Sequence, residues 1–348
     1  MSGPEAEVGD DRRQAPAAPS AGLFPSAGAI PLAERRAAAG AVLMTSLIDR
    51  RWWTGRMFET VCSEGRKMGN ETIEPRLAGV HMTAIGAATM RAGHLLQSAS
   101  PKVFEDTFAL ALANVSEVEI LERVNEREAA LGAGGSSLWA LRSRYAEERL
   151  AAARTRTGQY ILLGAGLDSY ALRQADHLGG LLVLEVDDPP MQDWKRWRLG
   201  QLGLNLPPQL QFVPCDFETT TLVEALATSG YDQTATTFIS WLGVTQYLTE
   251  DAIASTLAWA ANHPVGSEIV LTYCVPGPRA EAAKALHAAR GTRFSTFFTP
   301  DRMTEILLAA GFHNVEHLSI EAANQLYYRD RPDALPSDMH ERLVSATV

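Results

Sequence analysis

Cysteine is scarce in this chain. Its three cysteines, Cys62, Cys215 and Cys274, are an odd number without metal-ligand spacing. That excludes a disulfide scaffold and suits a reducing, cytoplasmic setting. Positive charge is short as well: 31 Lys and Arg stand against 41 Asp and Glu, for a net charge of −10 and a pI near 5.4. A nucleic-acid-binding surface usually shows as a basic patch or stripe, so no nucleic-acid partner is expected. The basic runs at Asp49-Arg50-Arg51 and Lys195-Arg196-Trp197-Arg198 alternate with apolar residues and read as solvated helix faces. No apolar run approaches membrane-spanning length. The N-terminus lacks a basic start followed by an apolar core, so neither a membrane partner nor a secretion signal is expected. No Cys/His/Asp cluster suggests a metal, and no nucleophile–base pair can be assembled from spacing. What remains is a composition ordinary for a soluble globular protein, 46% hydrophobic and 21% charged over 348 residues, with room for one large domain or two modest ones.

Periodicity divides the chain. Residues 1–38 are rich in Ala, Pro, Gly and Ser and read as a disordered tail. Residues 39–156 carry helical spacing, at Leu43, Leu47, Trp52, Trp53, Met57, Phe58 and Val61, and again at Val80, Ile85, Met90 and Leu95. Ser116 and Glu119 have capping-box spacing ahead of a helix from Val118 to Leu131. Ser136-Ser137 offers a cap for a helix from Leu138 to about Arg154. This part is expected to form a helical cap or lid. From residue 157 to 348 strand and helix alternate, which implies an α/β fold with a mostly parallel sheet and helices on both faces. Strands are expected near 159–163, 181–186, 210–215, 235–240 and 267–274. Helices are expected near 168–178, 190–202, 219–229, 249–262 and 300–311. Val315–Ile320 and Gln325–Arg329 read as a closing antiparallel hairpin.

The chemistry is concentrated at the ends of the first three strands. In QYILLGAGLDSYALR, from Gln159 to Arg173, a buried strand runs into Gly164-Ala165-Gly166 and then a helix start. Such a turn admits a ligand close to the backbone, and the helix start offers free N–H groups. About twenty residues on, the spacing expected of a nucleotide-binding α/β unit, LLVLEVDDPP ends in acids. Asp187 is the best placed to accept from two ribose hydroxyls, with Glu185 and Asp188 as rivals; strand alternation puts Glu185 and Asp187 on one side. QFVPCDFE ends in Asp216-Phe217, an acid and an aromatic suited to an adenine amino group and ring. The alternative for Asp216 is a helix cap. Three such features in register point to a nucleotide-like ligand across the sheet's C-terminal rim.

With GAGLDS and its following Arg, EVDDP, CDFE, WLGVTQYLTEDAI, TAIGAATMRAG from Thr83 and LRSRYAEE from Leu141, the chain resembles the leucine carboxyl methyltransferase family. The likeness is nearest to its bacterial branch, which includes polyketide and natural-product O-methyltransferases, and it runs from about Val80 to the C-terminus. A parallel sheet closed by an antiparallel hairpin is typical of class I methyltransferases. The resemblance implies S-adenosylmethionine as cofactor and makes residues 157–348 the methyltransferase domain. It implies that Gly164 and Gly166 line the methionine portion, with Asp168 near its ammonium. Asp187 would hold the ribose, and Asp216 and Phe217 the adenine. Arg142, and Arg91 with it, would pair with the methionine carboxylate, for which a planar guanidinium is apt; both have a helix-surface alternative. Two departures matter. The third glycine of the dinucleotide fingerprint is Ser169, preceded by Asp168, which disfavours NAD. Leu242 stands where phosphatase-methylating members carry an acid, so their protein substrate is not carried over.

The expected acceptor is a small natural-product-like molecule, methylated most simply at a carboxylate or hydroxyl oxygen, with a heteroaromatic carbon or nitrogen as the alternative. Trp241, Tyr247 and Tyr273, at or after the fourth and fifth strands, are candidates to meet it, and His81 is a candidate base. The alternatives are a core role for Trp241 and a structural or surface role for His81. The chain is expected to act as a monomer or homodimer. A NAD-dependent oxidoreductase and a non-catalytic binding module are the rival classes.

Overall fold

The computed structural model describes residues 82–131, 134, 136–289 and 291–348. The expected disordered tail, Trp52, Trp53, Met57, Phe58, Cys62 and His81 lie outside the described residues. The first described elements are four helices: α1 (Met82–Gln97), α2 (Ala109–Ala113), α3 (Glu117–Leu131) and α4 (Ser137–Ala153). Ser116 Oγ accepts from Glu119 N at 3.2 Å, one half of the expected capping box. The cap expected from Ser136 does not form: its hydroxyl donates instead to Glu128 Oε1 at 2.6 Å.

Seven strands follow, β1 (Gln159–Leu163), β2 (Leu182–Asp187), β3 (Leu210–Pro214), β4 (Thr237–Trp241), β5 (Glu268–Cys274), β6 (His313–Leu318) and β7 (Glu341–Thr347), in the order β3-β2-β1-β4-β5-β7-β6. β3 to β5 run parallel, while β7 is antiparallel to both β5 and β6. The mostly parallel α/β sheet with an antiparallel C-terminal pair is therefore present. β1, β4 and β5 are buried along their whole length, as strands covered on both faces must be.

Successive side chains serve opposite faces. Tyr160, Leu162, Phe238 and Val270 join Met90, Val124, Leu138 and Leu141 of α1, α3 and α4 in one apolar cluster. Ile161, Leu163, Ile239 and Leu271 pack on the other face. Their partners there come from α7 (Leu222–Leu226), α8 (Glu250–Ala261) and α10 (Pro300–Ala310). Thr221, Thr249 and Thr299 cap these three helices through their hydroxyls.

Three further expectations need correction. Gln325–Arg329 is not the hairpin's second strand. Ser319 Oγ accepts from Ala322 N and starts a helix, α11 (Ile320–Tyr327), so the hairpin closes through β7. The helix expected over 168–178 is only one turn, α5 (Tyr170–Arg173), followed by a 3-10 turn at Ala175–His177. A helix at Pro278–Ala289, α9, was not anticipated, because it buries only Ala280 and Ala283 and its small residues give no amphipathic signal. The remaining helix, α6 (Pro189–Gln201), begins with proline in its first turn, where no N–H is missed.

Candidate functional site

The strand order reverses between β1 and β4, and ligands of open α/β sheets bind at the C-terminal end of such a switch point. There the glycine turn takes left-handed angles, with φ +68° at Gly164 and +50° at Gly166. A Cβ on Gly164 would stand 2.3 Å from Val244 Cγ2, in the loop after β4, so only glycine fits. Gly164 N and Ala165 N both donate to Val186 O, at 2.8 and 3.1 Å, tying the turn to β2.

Asp187 ends β2 against this turn. One carboxylate oxygen accepts from Gly166 N and the other from Asp188 N at 2.7 Å. Its rivals are placed differently. Glu185 is buried below the rim in an ion pair with Lys195, and burial lifts its carboxyl to about 7 against the pull of that lysine. Asp188 occupies the position before α6. Of the three acids, Asp187 is the one bonded to the turn. Asp168 accepts from Tyr170 N at 2.7 Å, and its carbonyl accepts from Lys195 Nζ at 2.7 Å. Asp216 and Phe217 follow β3, both half-buried. The Asp216 carboxylate accepts from Glu218 N and Thr219 Oγ1, each at 2.9 Å, closing a turn ahead of α7.

Neither arginine is a surface charge. Arg142 projects from α4 onto the loop after β4. Its Nη1 lies 2.5 Å from where a Cβ of Gly243 would be, and it bonds Glu341 of β7 at 3.2 Å. Arg91 Nε bonds Asp106 Oδ2 at 2.7 Å and its Nη2 donates to Leu167 O at 2.6 Å.

The acceptor candidates fall into two groups. Tyr247, in the 3-10 turn Thr245–Tyr247, is edge-on to Phe294 and His287 at ring separations of 5.8 and 5.5 Å. Burial pushes its phenol up to about 12. Trp241 and Tyr273 are instead 0% exposed, in the apolar cluster under α8 and α10. Tyr273 shares a 2.9 Å hydrogen bond with His317 of β6. The structure thus brings Gly164, Gly166, Asp168 and Asp187 together, places Arg142 and Tyr247 by the next strand, and sets Trp241 and Tyr273 in the core. Asp106, Lys195 and Glu341 were missed by sequence reasoning. Lys195, expected on a solvated helix face, is instead 2% exposed and paired with Glu185; the other two carry no local signal. Among the described residues no cluster of His, Cys, Asp or Glu could hold a metal ion, and no helix is long and apolar enough to cross a membrane.

Residues 84–261 match the family model of leucine carboxyl methyltransferase. A Bacillus subtilis protein, named "Putative S-adenosyl-L-methionine-dependent methyltransferase YktD", is 35% identical over 186 residues, which are 51% of this chain and 61% of that protein. The chain thus spans about three fifths of that relative's length. A Mycobacterium avium protein of the same general description is 25% identical over 276 residues, 74% of this chain and 82% of its own length. A solved DUF574 family protein from Streptomyces avermitilis aligns with a TM-score of 0.48 at 15% identity, covering 77% of this chain and 97% of that one.

Proposed function

This chain belongs to the leucine carboxyl methyltransferase family, and from that premise we propose that it transfers a methyl group from S-adenosylmethionine to a small natural-product-like acceptor, most simply at a carboxylate or hydroxyl oxygen. The observation that carries the proposal is the bond between Gly166 N and the Asp187 carboxylate at the switch point, with the left-handed glycines beside it. A Cβ at Gly164 would press against Val244 Cγ2, so the left-handed turn at this rim depends on glycine. In this reading Gly164 and Gly166 line the methionine portion, Asp168 stands by its ammonium, and Asp187 takes the ribose hydroxyls. Asp216 and Phe217 serve the adenine end, and the Arg142 guanidinium takes the carboxylate.

When bound, the sulfonium supplies an already activated methyl group. The protein's task is then alignment and exclusion of water rather than covalent help. Tyr247 and the aromatic rings around it form the wall on the acceptor side. A phenol lifted to about 12 is a poor base near neutrality, which favours an acceptor that needs no proton removed, and a carboxylate is one. A heteroaromatic carbon or nitrogen acceptor is the second reading, supported by the aromatic rings Phe294 and His287 next to Tyr247.

The test has two parts. Calorimetric titration should show binding of S-adenosylhomocysteine and none of NAD; the reverse result would end this reading. Labelled methyl donor, a panel of acceptors and mild base hydrolysis of the product should then release the label as methanol if an ester was made. Label that resists hydrolysis would leave an ether or the carbon and nitrogen alternatives, which mass spectrometry separates.

A further inference from the structure

Behind the glycine turn lies a buried charged cluster that methyl transfer itself does not use. Asp106, from the segment between α1 and α2, is 1% exposed. It accepts from Arg91 Nε at 2.7 Å, from Ser169 Oγ at 2.6 Å and from Phe108 N at 3.2 Å. Arg91 in turn reaches Leu167 O with its Nη2 at 2.6 Å. Ser169 Oγ also accepts from Arg173 Nε at 2.9 Å, and the Arg173 fork closes on Glu147 of α4. Burial alone would raise the Asp106 carboxyl, but Arg91, Arg173 and Ser169 bring it below its ordinary value, so it stays ionised.

The direction of these bonds is informative. Burying an ion costs several kcal/mol, and apolar side chains of similar volume often stabilise a core as well or better. Here the pair is aimed at one short segment. Of the three residues between Gly166 and Tyr170, Leu167 is held through its carbonyl and Ser169 through its hydroxyl. The Asp168 carbonyl between them is held by Lys195.

We propose that Asp106 and Arg91 are positioning residues that preset residues 167–169, and with them the Gly166–Asp187 contact and the Asp168 carboxylate, for the cofactor. Arg91 then acts through Leu167 O and leaves the methionine carboxylate to Arg142. Holding the turn in its binding shape beforehand removes an ordering cost from binding. The inference rests on the reading that this turn holds the methyl donor.

Two mild variants test it. Arg91→Lys keeps a cation beside Asp106 but gives up the planar fork that spans two acceptors. Ser169→Ala removes one tether and leaves the ion pair. Each should keep a cooperative melt, weaken S-adenosylhomocysteine binding by about fivefold to tenfold and leave the acceptor KM unchanged. Each should also speed amide hydrogen exchange at Leu167–Tyr170 in the ligand-free protein. Wild-type affinity and wild-type exchange in both variants would overturn the inference. So would a lowered Tm with unchanged affinity, which would make the cluster purely structural. Failure of the wild-type protein to bind S-adenosylhomocysteine would strike the methyl-donor reading instead, and the exchange measurement would still decide whether the cluster sets the turn.

Discussion

The C-terminal rim of the sheet has two unlike halves. Over β1, β2 and β3 it is made of backbone and carboxylates: two left-handed glycines, Asp168, Asp187 and Asp216, with Lys195 beneath. Over β4, β5 and β7 it is made of long side chains brought from distant parts of the chain. Arg142 meets Glu341 across 199 residues of sequence, and Phe294 stacks on His287 at 4.7 Å next to Tyr247. The first half is closed by the link from Gly166 to Asp187 across 21 residues and tethered from behind by Arg91 and Asp106, 76 and 63 residues from their partners. A surface built from backbone conformation suits a ligand common to a whole family. One built from converging side chains suits an acceptor particular to this member, with Arg142 the exception that reaches to the cofactor side in the reading proposed above.

Three substitutions put that contrast at risk. The largest effect is expected at Gly164. Ala there must hold a left-handed angle, worth about 1–2 kcal/mol, and place a Cβ against Val244 that the core must shift to admit, roughly another 1–3 kcal/mol. Urea unfolding should therefore show a loss of about 2–5 kcal/mol. A loss under about 1 kcal/mol would mean that the turn is not held as described.

Asp187→Ala comes next. Removing a charged acceptor from ribose hydroxyls should weaken S-adenosylhomocysteine binding by about 1–3 kcal/mol by calorimetry. Unchanged affinity would take the ribose from Asp187 and return it to its neighbours.

Tyr247→Phe is the mildest and tests the other half. Cofactor affinity should stay as in the wild type, while kcat/KM for the acceptor falls by about fivefold, one hydrogen bond's worth. Burial lifts the Tyr247 phenol to about 12 from its ordinary 10, so it remains protonated at neutral pH. The pH–rate profiles of variant and wild type should therefore overlay. A profile that changes shape in the variant would give Tyr247 a proton-transfer role, and a tenfold change in cofactor affinity would erase the distinction between the halves.

Legibility follows the same division. β1 is placed to the residue, because five buried positions end at a glycine whose conformation few other residues tolerate. Asp187 stands out because a strand tip, an acid and a twenty-residue spacing coincide. Between Glu185 and Asp187 alternation is silent, since both point to one side; the tip position favours Asp187, and Glu185, two residues deeper on β2, bonds Lys195 of α6 instead. Trp241 and Tyr273 look like rim residues because they end strands, yet both turn toward α8 and α10 into the core. The second hairpin strand is misplaced because Gln325–Arg329 has no stronger strand pattern than helical one, and the Ser319 cap tips it to helix.

The amino-acid order by itself determined the alternation of strand and helix, the glycine turn and the acids at the strand tips. Each depends on the preferences of residues close together in the chain. Only the tertiary structure decided that Glu185 pairs with a buried Lys195, that Arg91 and Arg142 are buried with different carboxylate partners, and that Trp241 and Tyr273 lie in the core. Those outcomes depend on packing depth and on contacts across as many as 199 residues, for which local spacing carries no information.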